Sequence, residues 1–359
     1  MRVFFVALNG PLVAASRTRV FDYLPFLRAQ GVGVDVVVVI PDRLSAWVDS
    51  GGRLRRLAYY LMVLWRSFRT GLQSVRAASR YDVVFIQRAF FPSPVAWLLR
   101  FCRCKVVFDF DDAIFTTEAP EADWTARLRT WHHRQALPRM LRAAHHAIVE
   151  NPYTGAYAKQ HGVEVSIITG PIDTERYCPG MREARLEVVL GWIGTRTSVS
   201  YLELIRGPLA ELGRRYAHLR LCLIGPGGFE VEGVQTVWRN WSLETEVADL
   251  RRFDIGLMPV PDDAWTRGKG GYKILQYFAM GLPVVASPVG INREIVEDGV
   301  NGFLAAGDAE WVDRLERLIL APQLCRQMGE AGCRKMEACY SLHRSSRRLL
   351  HILESVAAG

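Results

Sequence analysis

The sequence predicts an α/β protein of two doubly wound domains, each a parallel sheet covered by helices. Three observations lead there. Short apolar, β-branched runs alternate with stretches of helical spacing along the chain. The alternation occurs twice and is broken near "SIITGPIDTERYCPG", residues 166–180, by two prolines and two glycines. The chain has 359 residues, half of them hydrophobic, which is enough for two cores of ordinary size. The expected domains are therefore 1–170 and 171–340, followed by a closing helix over 341–359 that packs back on the first domain.

"RVFFVAL" reads as the first buried strand. The opening "MRVFFVALNGPLVAAS" superficially resembles a secretory leader, but Asn9-Gly10-Pro11 breaks its apolar core after a few residues. "RVFDYLPFLRAQG" is an amphipathic helix, and "VDVVVVI", "DVVFIQ", "KVVFDF" and "HAIVE" supply the remaining strands of the first half. In the second half "EVVLGWIG", "LRLCLIG", "FDIGLMP", "PVVAS" and "GFLAA" are strands, and "SYLELIRGPLAELGRRY" is a helix. Parallel strands are buried on both faces, so they read as continuous apolar runs. Ligands in such sheets bind beyond the carboxyl ends of the strands. Two such domains facing each other would make a cleft, a common place for a site.

Composition narrows the function. No apolar run approaches ~20 residues, so no membrane span is expected. The seven cysteines are scattered and odd in number, which suits reduced thiols in the cytoplasm. His132-His133 and His145-His146 lack the i, i+4 spacing of a helical metal site, so no metal is expected there. The net charge of +8 is uneven: residues 1–170 hold 22 basic and 13 acidic side chains, against 23 and 24 in residues 171–359. The first half is therefore expected to meet something acidic, such as a lipid headgroup, a phosphate or an anionic polymer.

"TRGKGGYKILQYFAMGLPVVASPVG", residues 266–290, carries the most chemistry. Three glycines within 268–271 exclude a helix interior. Ile274, Leu275, Phe278 and Ala279 share one face of a helix that Gly281 ends as a left-handed cap. The order is loop, helix start, helix, strand. Glycines let an anion approach the backbone, a helix start favours negative charge, and Arg267, Lys269 and Lys273 add full charges. Phosphate or diphosphate fits this stretch, although a solvated basic turn would look similar.

"FDIGLMPVPDDAWTRGKGGYKILQYFAMGLPVVASPVGINREIVEDGVNGFLA", residues 253–305, closely resembles the C-terminal signature of glycosyltransferase family 4, or group 1. "IITGPIDTERYCP", "LGWIGT" and "ASRTRVFDYLPFLRAQG" are weaker echoes of the same family. The resemblance implies the GT-B architecture, with two Rossmann-like domains around a cleft. It implies transfer of a sugar from a nucleotide diphosphate donor with retention of configuration and without a metal. The C-terminal domain would hold the donor and the N-terminal domain the acceptor. The diphosphate would meet Arg196, Arg267, Lys269, Lys273 and the backbone of Gly270, Gly271 and Tyr272. The family's usual pair of glutamates falls on Gly268 and Gln276 here. Gln276 can still bind a ribose hydroxyl; Gly268 cannot replace a carboxylate beside the sugar. The nucleotide sugar is a co-substrate, and no cofactor or nucleic acid is expected.

"VVFDFDDAIF" places Asp109, Asp111 and Asp112 at the end of a strand. Asp109-x-Asp111 matches the metal-binding DxD of another glycosyltransferase fold, but so short a match is outweighed by the long C-terminal one. Asp111 and Asp112 stand where the family often has a histidine near the donor sugar, so they are the candidate catalytic carboxylates. Asp112 would otherwise cap the next helix. Gly10, Ser16, Arg17 and Arg19 follow the first strand and are the acceptor-side candidates. Trp241 either stacks on the donor base or packs against its domain, and Glu244 and Glu246 read as helix-start charges. Rivals to transfer are a nucleotide-sugar-binding protein that has lost turnover and a sugar-nucleotide epimerase.

From Gly51 to Tyr81 there is no acidic residue, but there are seven arginines, 53, 55, 56, 66, 69, 76 and 80, around "LAYYLMVLW". This segment reads either as an interfacial helix on an anionic membrane or as a core helix with solvated arginines. The charge of the first half favours the membrane, which implies a peripheral protein at the inner face and a lipid-linked or acidic acceptor.

Overall fold

The computed structural model of the chain describes residues 1–44, 53–116, 124–180, 186–225 and 227–359. It contains two compact units. The first comprises Met1–Pro171 and Leu342–Gly359, and the second Ile172–Ser341.

The first unit is a six-stranded parallel sheet in the order β2-β1-β3-β4-β5-β6. Its strands are β1 (Arg2–Asn9), β2 (Gly33–Ile40), β3 (Val83–Gln87), β4 (Lys105–Phe110), β5 (His146–Val149) and β6 (Glu164–Ile167). Its helices are α1 (Ala14–Arg19), α2 (Leu24–Ala29), α3 (Arg53–Ala77), α4 (Ser93–Arg100), α5 (Trp124–Ala143) and α6 (Pro152–Lys159). The segment expected as one helix after β1 is α1, a short 3-10 turn at Phe21–Tyr23, and α2. Pro25 at the start of α2 lacks the N–H needed to continue a helix through it, which separates the pieces.

The second unit is also six-stranded and parallel, in the order β12-β11-β10-β7-β8-β9. Its strands are β7 (Val188–Ile193), β8 (Leu219–Ile224), β9 (Gln235–Arg239), β10 (Ile255–Met258), β11 (Val284–Ala286) and β12 (Gly302–Leu304). They alternate with α7 (Arg206–Arg215), α8 (Glu246–Leu250), α9 (Tyr272–Ala279), α10 (Asn292–Ile295), α11 (Asp308–Leu320) and α12 (Pro322–Tyr340). The last helix, α13 (Leu342–Ala358), belongs to the first unit, where Leu349, Ile352 and Leu353 join the core of Val3, Phe5, Leu27 and Phe85.

The strands expected from apolar runs are all present. β6 and β9 were not expected. They are the edge strands of their sheets, and their side chains alternate or stay half exposed, so no apolar run marks them. In each sheet the strand order reverses once, between β1 and β3 and between β7 and β10. At such a reversal the connections leave on opposite faces of the sheet and open a crevice at the strand ends.

Candidate active site residues in each unit

In the second unit, β7 ends at Ile193 and runs into the loop Gly194–Ser198. β10 leads through Trp265 into the turn before α9. Thr266 locks that turn: its N–H donates to Asp263 Oδ1 at 2.8 Å, and its hydroxyl accepts from the Asp263 N–H at 3.2 Å. Gly271 then takes a left-handed conformation (φ 68°) as the N-cap of α9. A side chain there would be strained, and its Cβ would lie 2.5 Å from Ile295 Cδ1. Gly281 (φ 67°) closes α9, with its N–H on Phe278 O and that of Leu282 on Tyr277 O, both at 2.9 Å.

Lys273, in the first turn of α9, joins these two loops. Its Nζ lies 3.4 Å from Ser198 Oγ and 4.6 Å from the centre of the Trp192 ring. The loop is tight there. A Cβ on Gly194 would meet the Trp192 ring at 2.2 Å, and one on Gly225 would meet Gly194 O at 2.2 Å. A cation, a helix start and a glycine-bordered loop thus converge at the β7/β10 reversal, where an anionic ligand is expected. Arg196 is exposed in the same loop. Lys269 lies 5.2 Å from the centre of the Trp265 ring, and Gly270 is buried beside Gly271.

Two of the expected donor residues are engaged differently. Arg267 is exposed, and its Nε lies 2.6 Å from Asp262 Oδ1. Gln276 is buried, and its Nε2 donates to Glu246 Oε1 at 3.0 Å and to the Tyr177 hydroxyl at 3.4 Å. What Gln276 can offer a ribose is its carbonyl oxygen.

Glu246 is more than a helix-start charge. It is buried at the start of α8, where it accepts from Trp241 Nε1 (3.0 Å), Tyr177 Oη (2.6 Å) and Arg176 (3.1 Å) as well as Gln276. Burial, reinforced by Glu246, pushes the Tyr177 hydroxyl up to about 12, so it stays a donor at neutral pH. Trp241 and Gln276 donate to the same oxygen, which sets the indole beside the candidate ribose residue. Trp241 remains 41 % exposed, so its ring is anchored but not packed away.

In the first unit the chemistry gathers where β1, β3, β4 and β5 end. Arg19 is fully buried. It pairs with Asp109 and donates to Ile168 O at 2.6 Å. Burial disfavours its charge, but Asp109 outweighs that and holds the guanidinium protonated. Arg19 is therefore a structural cation, not an acceptor-side group, a correction that follows from its position on the inward face of α1. Ser16 is likewise buried: it accepts from the Asn9 N–H at 3.1 Å and donates to Gln87 at 2.9 Å, fixing the end of β1. Arg17 is mostly buried and donates to Pro11 O at 3.4 Å. Gly10 is also buried, and a Cβ there would run into the Asp42 carboxylate at 2.4 Å. Asp42 thus sets the space beside Gly10.

Asp111 and Asp112 lie together beyond β4. Arg88 Nη1 donates to both Asp111 oxygens, at 2.9 and 3.0 Å, and lies 3.9 Å from Asp112. Asp112 is the more open carboxylate. Both Asp109 and Asp111 are paired with arginines. Arg88 has φ 53°, a left-handed backbone that costs a residue with a side chain about 1–2 kcal/mol. Its N–H donates to Asp109 O at 2.8 Å, which holds it there. Such strain at a strand end is typical of functional positions.

Glu150, at the end of β5, completes the group. Burial pushes its carboxyl up to about 8; Arg19 opposes this, and Asp111, Asp112 and Asp109 add to it. Near neutral pH burial therefore favours the protonated form of this carboxyl. Sequence reasoning missed Arg88 and Glu150. Each is a charged residue directly ending an apolar strand run, and that was the available signal.

Two parallel doubly wound sheets of this kind are the architecture of the GT-B fold. Residues 189–320 match the family described as "Glycosyl transferases group 1". It is 27 % identical over 226 residues to D-inositol 3-phosphate glycosyltransferase of Saccharomonospora viridis, covering 54 % of this chain and 51 % of that protein. It is 29 % identical over 243 residues to the protein of the same name from Actinosynnema mirum, covering 59 % and 56 %. The chain thus spans about half the length of the curated relatives it matches. Among solved structures, sucrose-phosphate synthase of Thermosynechococcus elongatus superposes with a TM-score of 0.71 at 12 % identity over 100 % of this chain and 99 % of that one. Anabaena Alr3699/HepE, in complex with UDP and glucose, gives 0.65 at 15 % identity over 99 % and 100 %.

Proposed function

We propose that the chain transfers a glycosyl group from a nucleoside diphosphate sugar to an acceptor hydroxyl, with retention of configuration and without a metal. The observation that carries this reading is the convergence of Lys273, the Gly271-capped start of α9 and the Gly194–Ser198 loop at the β7/β10 reversal. The leaving diphosphate gains charge as the glycosidic bond breaks. Lys273, Lys269, Arg196 and the helix start stabilise that charge in place of a cation. Gln276 accepts from a ribose hydroxyl, and the neighbouring Trp241 ring supports the base. In the first unit Asp112 orients the acceptor hydroxyl and takes its proton. Asp111, held in place by Arg88, faces the positive character that develops on the sugar. The binding of UDP by the Anabaena structural neighbour supports a nucleoside diphosphate as the ligand class. We place the enzyme at the cytoplasmic side, with a lipid-linked or otherwise acidic acceptor.

One set of variants tests both halves. Lys269→Ala and Lys273→Ala should weaken nucleoside diphosphate binding, measured by thermal shift, by roughly tenfold or more each, the range of a charge-assisted hydrogen bond. Asp111→Asn and Asp112→Asn should keep binding and lose turnover. Binding without turnover in the wild-type chain across a panel of donors and acceptors would favour a protein that has lost transfer. Turnover of donor with no acceptor, giving an altered sugar nucleotide, would favour epimerisation.

A further inference from the structure

Helix α3 has an unusual distribution of side chains. In its second half the buried residues are small: Thr70, Gly71, Ser74 and Ala77. Gly71 is needed for close packing, since a Cβ there would lie 2.6 Å from Val95 and 3.2 Å from Phe91. The large apolar residues lie mostly in its first half and are exposed. Tyr60, Leu61, Leu64, Trp65 and Phe68 are each between 45 % and 59 % exposed, and their spacing puts them on one continuous outer face. The neighbouring helix α4 adds Trp97 and, just past its end, Phe101, at 61 % and 66 % exposure with their rings 4.7 Å apart. The core-helix reading of this segment therefore fails: its largest apolar groups are outside.

Charge borders the same face. Arg55, Arg69 and Arg76 are exposed along the helix, and no acidic residue occurs from Gly51 to Tyr81. The Arg69 guanidinium lies 5.4 Å from the centre of the Trp65 ring, an aromatic and a cation side by side at the edge of the apolar strip. Arg53, Arg56 and Leu57, also part of the sequence expectation, have side chains outside the described ones. Among the described residues no helix is long and apolar enough to cross a membrane.

We infer that this face of α3, with Trp97 and Phe101, docks the chain on the surface of an anionic lipid bilayer. The helix would lie in the interfacial plane with its aromatic strip at the boundary between headgroups and acyl chains and its arginines at the headgroups. Charge complementarity selects this occupant. A second copy of the chain would bring two arginine rows together, whereas an anionic bilayer meets both the apolar strip and the cations. The geometry is independent of the donor reading, so either can fail without the other.

The full chain is mixed with phosphatidylcholine vesicles, with and without phosphatidylglycerol, and sedimented at low and high salt. It should sediment with the anionic vesicles at low salt, less so at high salt, and weakly with neutral vesicles. Leu64→Ser/Trp65→Ser removes exposed side chains, so its unfolding temperature should stay close to wild type. Its partition should fall by roughly tenfold or more, as expected for two apolar groups that no longer enter the interface. Arg55→Gln/Arg69→Gln/Arg76→Gln should reduce binding to anionic vesicles and leave the weak neutral binding unchanged. Three outcomes would overturn the inference. One is negligible sedimentation with either vesicle. Another is anionic binding that the Ser variant leaves intact, which would be adsorption by net charge. The third is self-association that the Ser variant abolishes, which would make the face a contact between copies.

Discussion

Glu150 shows how a single residue couples this site to pH. Its carboxyl is raised from an ordinary 4.5 to about 8 by burial first, with Arg19 opposing and three aspartates reinforcing. A group raised on folding adds stability that is fully present below its unfolded value and lost as pH climbs through its folded one. The window is therefore about 4.5 to 8. Glu150→Gln imitates the protonated form at every pH. Its melting temperature should match wild type near the acid end of the window, exceed it progressively up to about pH 8, and keep a constant margin above that. Parallel melting curves across the window would mean that Glu150 is not held neutral by the fold. Asp111 and Asp112 were legible as a pair because two carboxylates followed an apolar strand. Arg88 was not, because its role depends on a left-handed turn that places it over Asp111, and one arginine among forty carries no such mark.

At the scale of the element, α9 and its flanking turns were the most readable part of the chain. Glycine positions dictated both ends: Gly271 opens the helix and Gly281 closes it, each with positive φ. Gly271→Ala should cost about 1–2 kcal/mol from the left-handed backbone alone. The Cβ contact with Ile295 adds to this, although a flexible side-chain end can move aside. A lower denaturation midpoint with unchanged denaturant slope would show it, and nucleotide affinity should fall with it because the start of α9 shifts. Unaltered stability would mean that the turn relaxes to another conformation. The edge strands β6 and β9 were unreadable for the opposite reason. A half-exposed strand needs no apolar run, and only pairing with β5 and β8 makes it a strand.

For the whole molecule, the last helix ties the two ends of the chain into one core. Leu349, Ile352 and Leu353 of α13 are buried against residues of β1, α2 and β3. Ending the chain at Ser341 would expose these contacts and remove about 5–9 kcal/mol from the first unit, as much as many domains possess. Calorimetry should then show loss of one unfolding transition and retention of another belonging to residues 172–341. A truncated chain that melts as the full one does would show α13 to be dispensable.

The residues alone determined the βα alternation, the repeat of that pattern, the glycine-bounded helix and the cluster of carboxylates after β4. These are local consequences of backbone entropy and hydrophobic periodicity, which act within a few neighbours. Tertiary structure decided which charges are available. Arg19 and Arg17 have the same chemistry two positions apart, yet Arg19 turns inward to neutralise Asp109 while Arg17 reaches only a backbone carbonyl. Arg267 is held by Asp262, and Lys273 stands beside Ser198. Packing likewise decided that the small residues in the second half of α3 are buried and the large ones, mostly in its first half, exposed; Gly71 allows a close approach to Val95 that a side chain would prevent. Such choices depend on partners distant in sequence, and only the folded chain brings those partners into range.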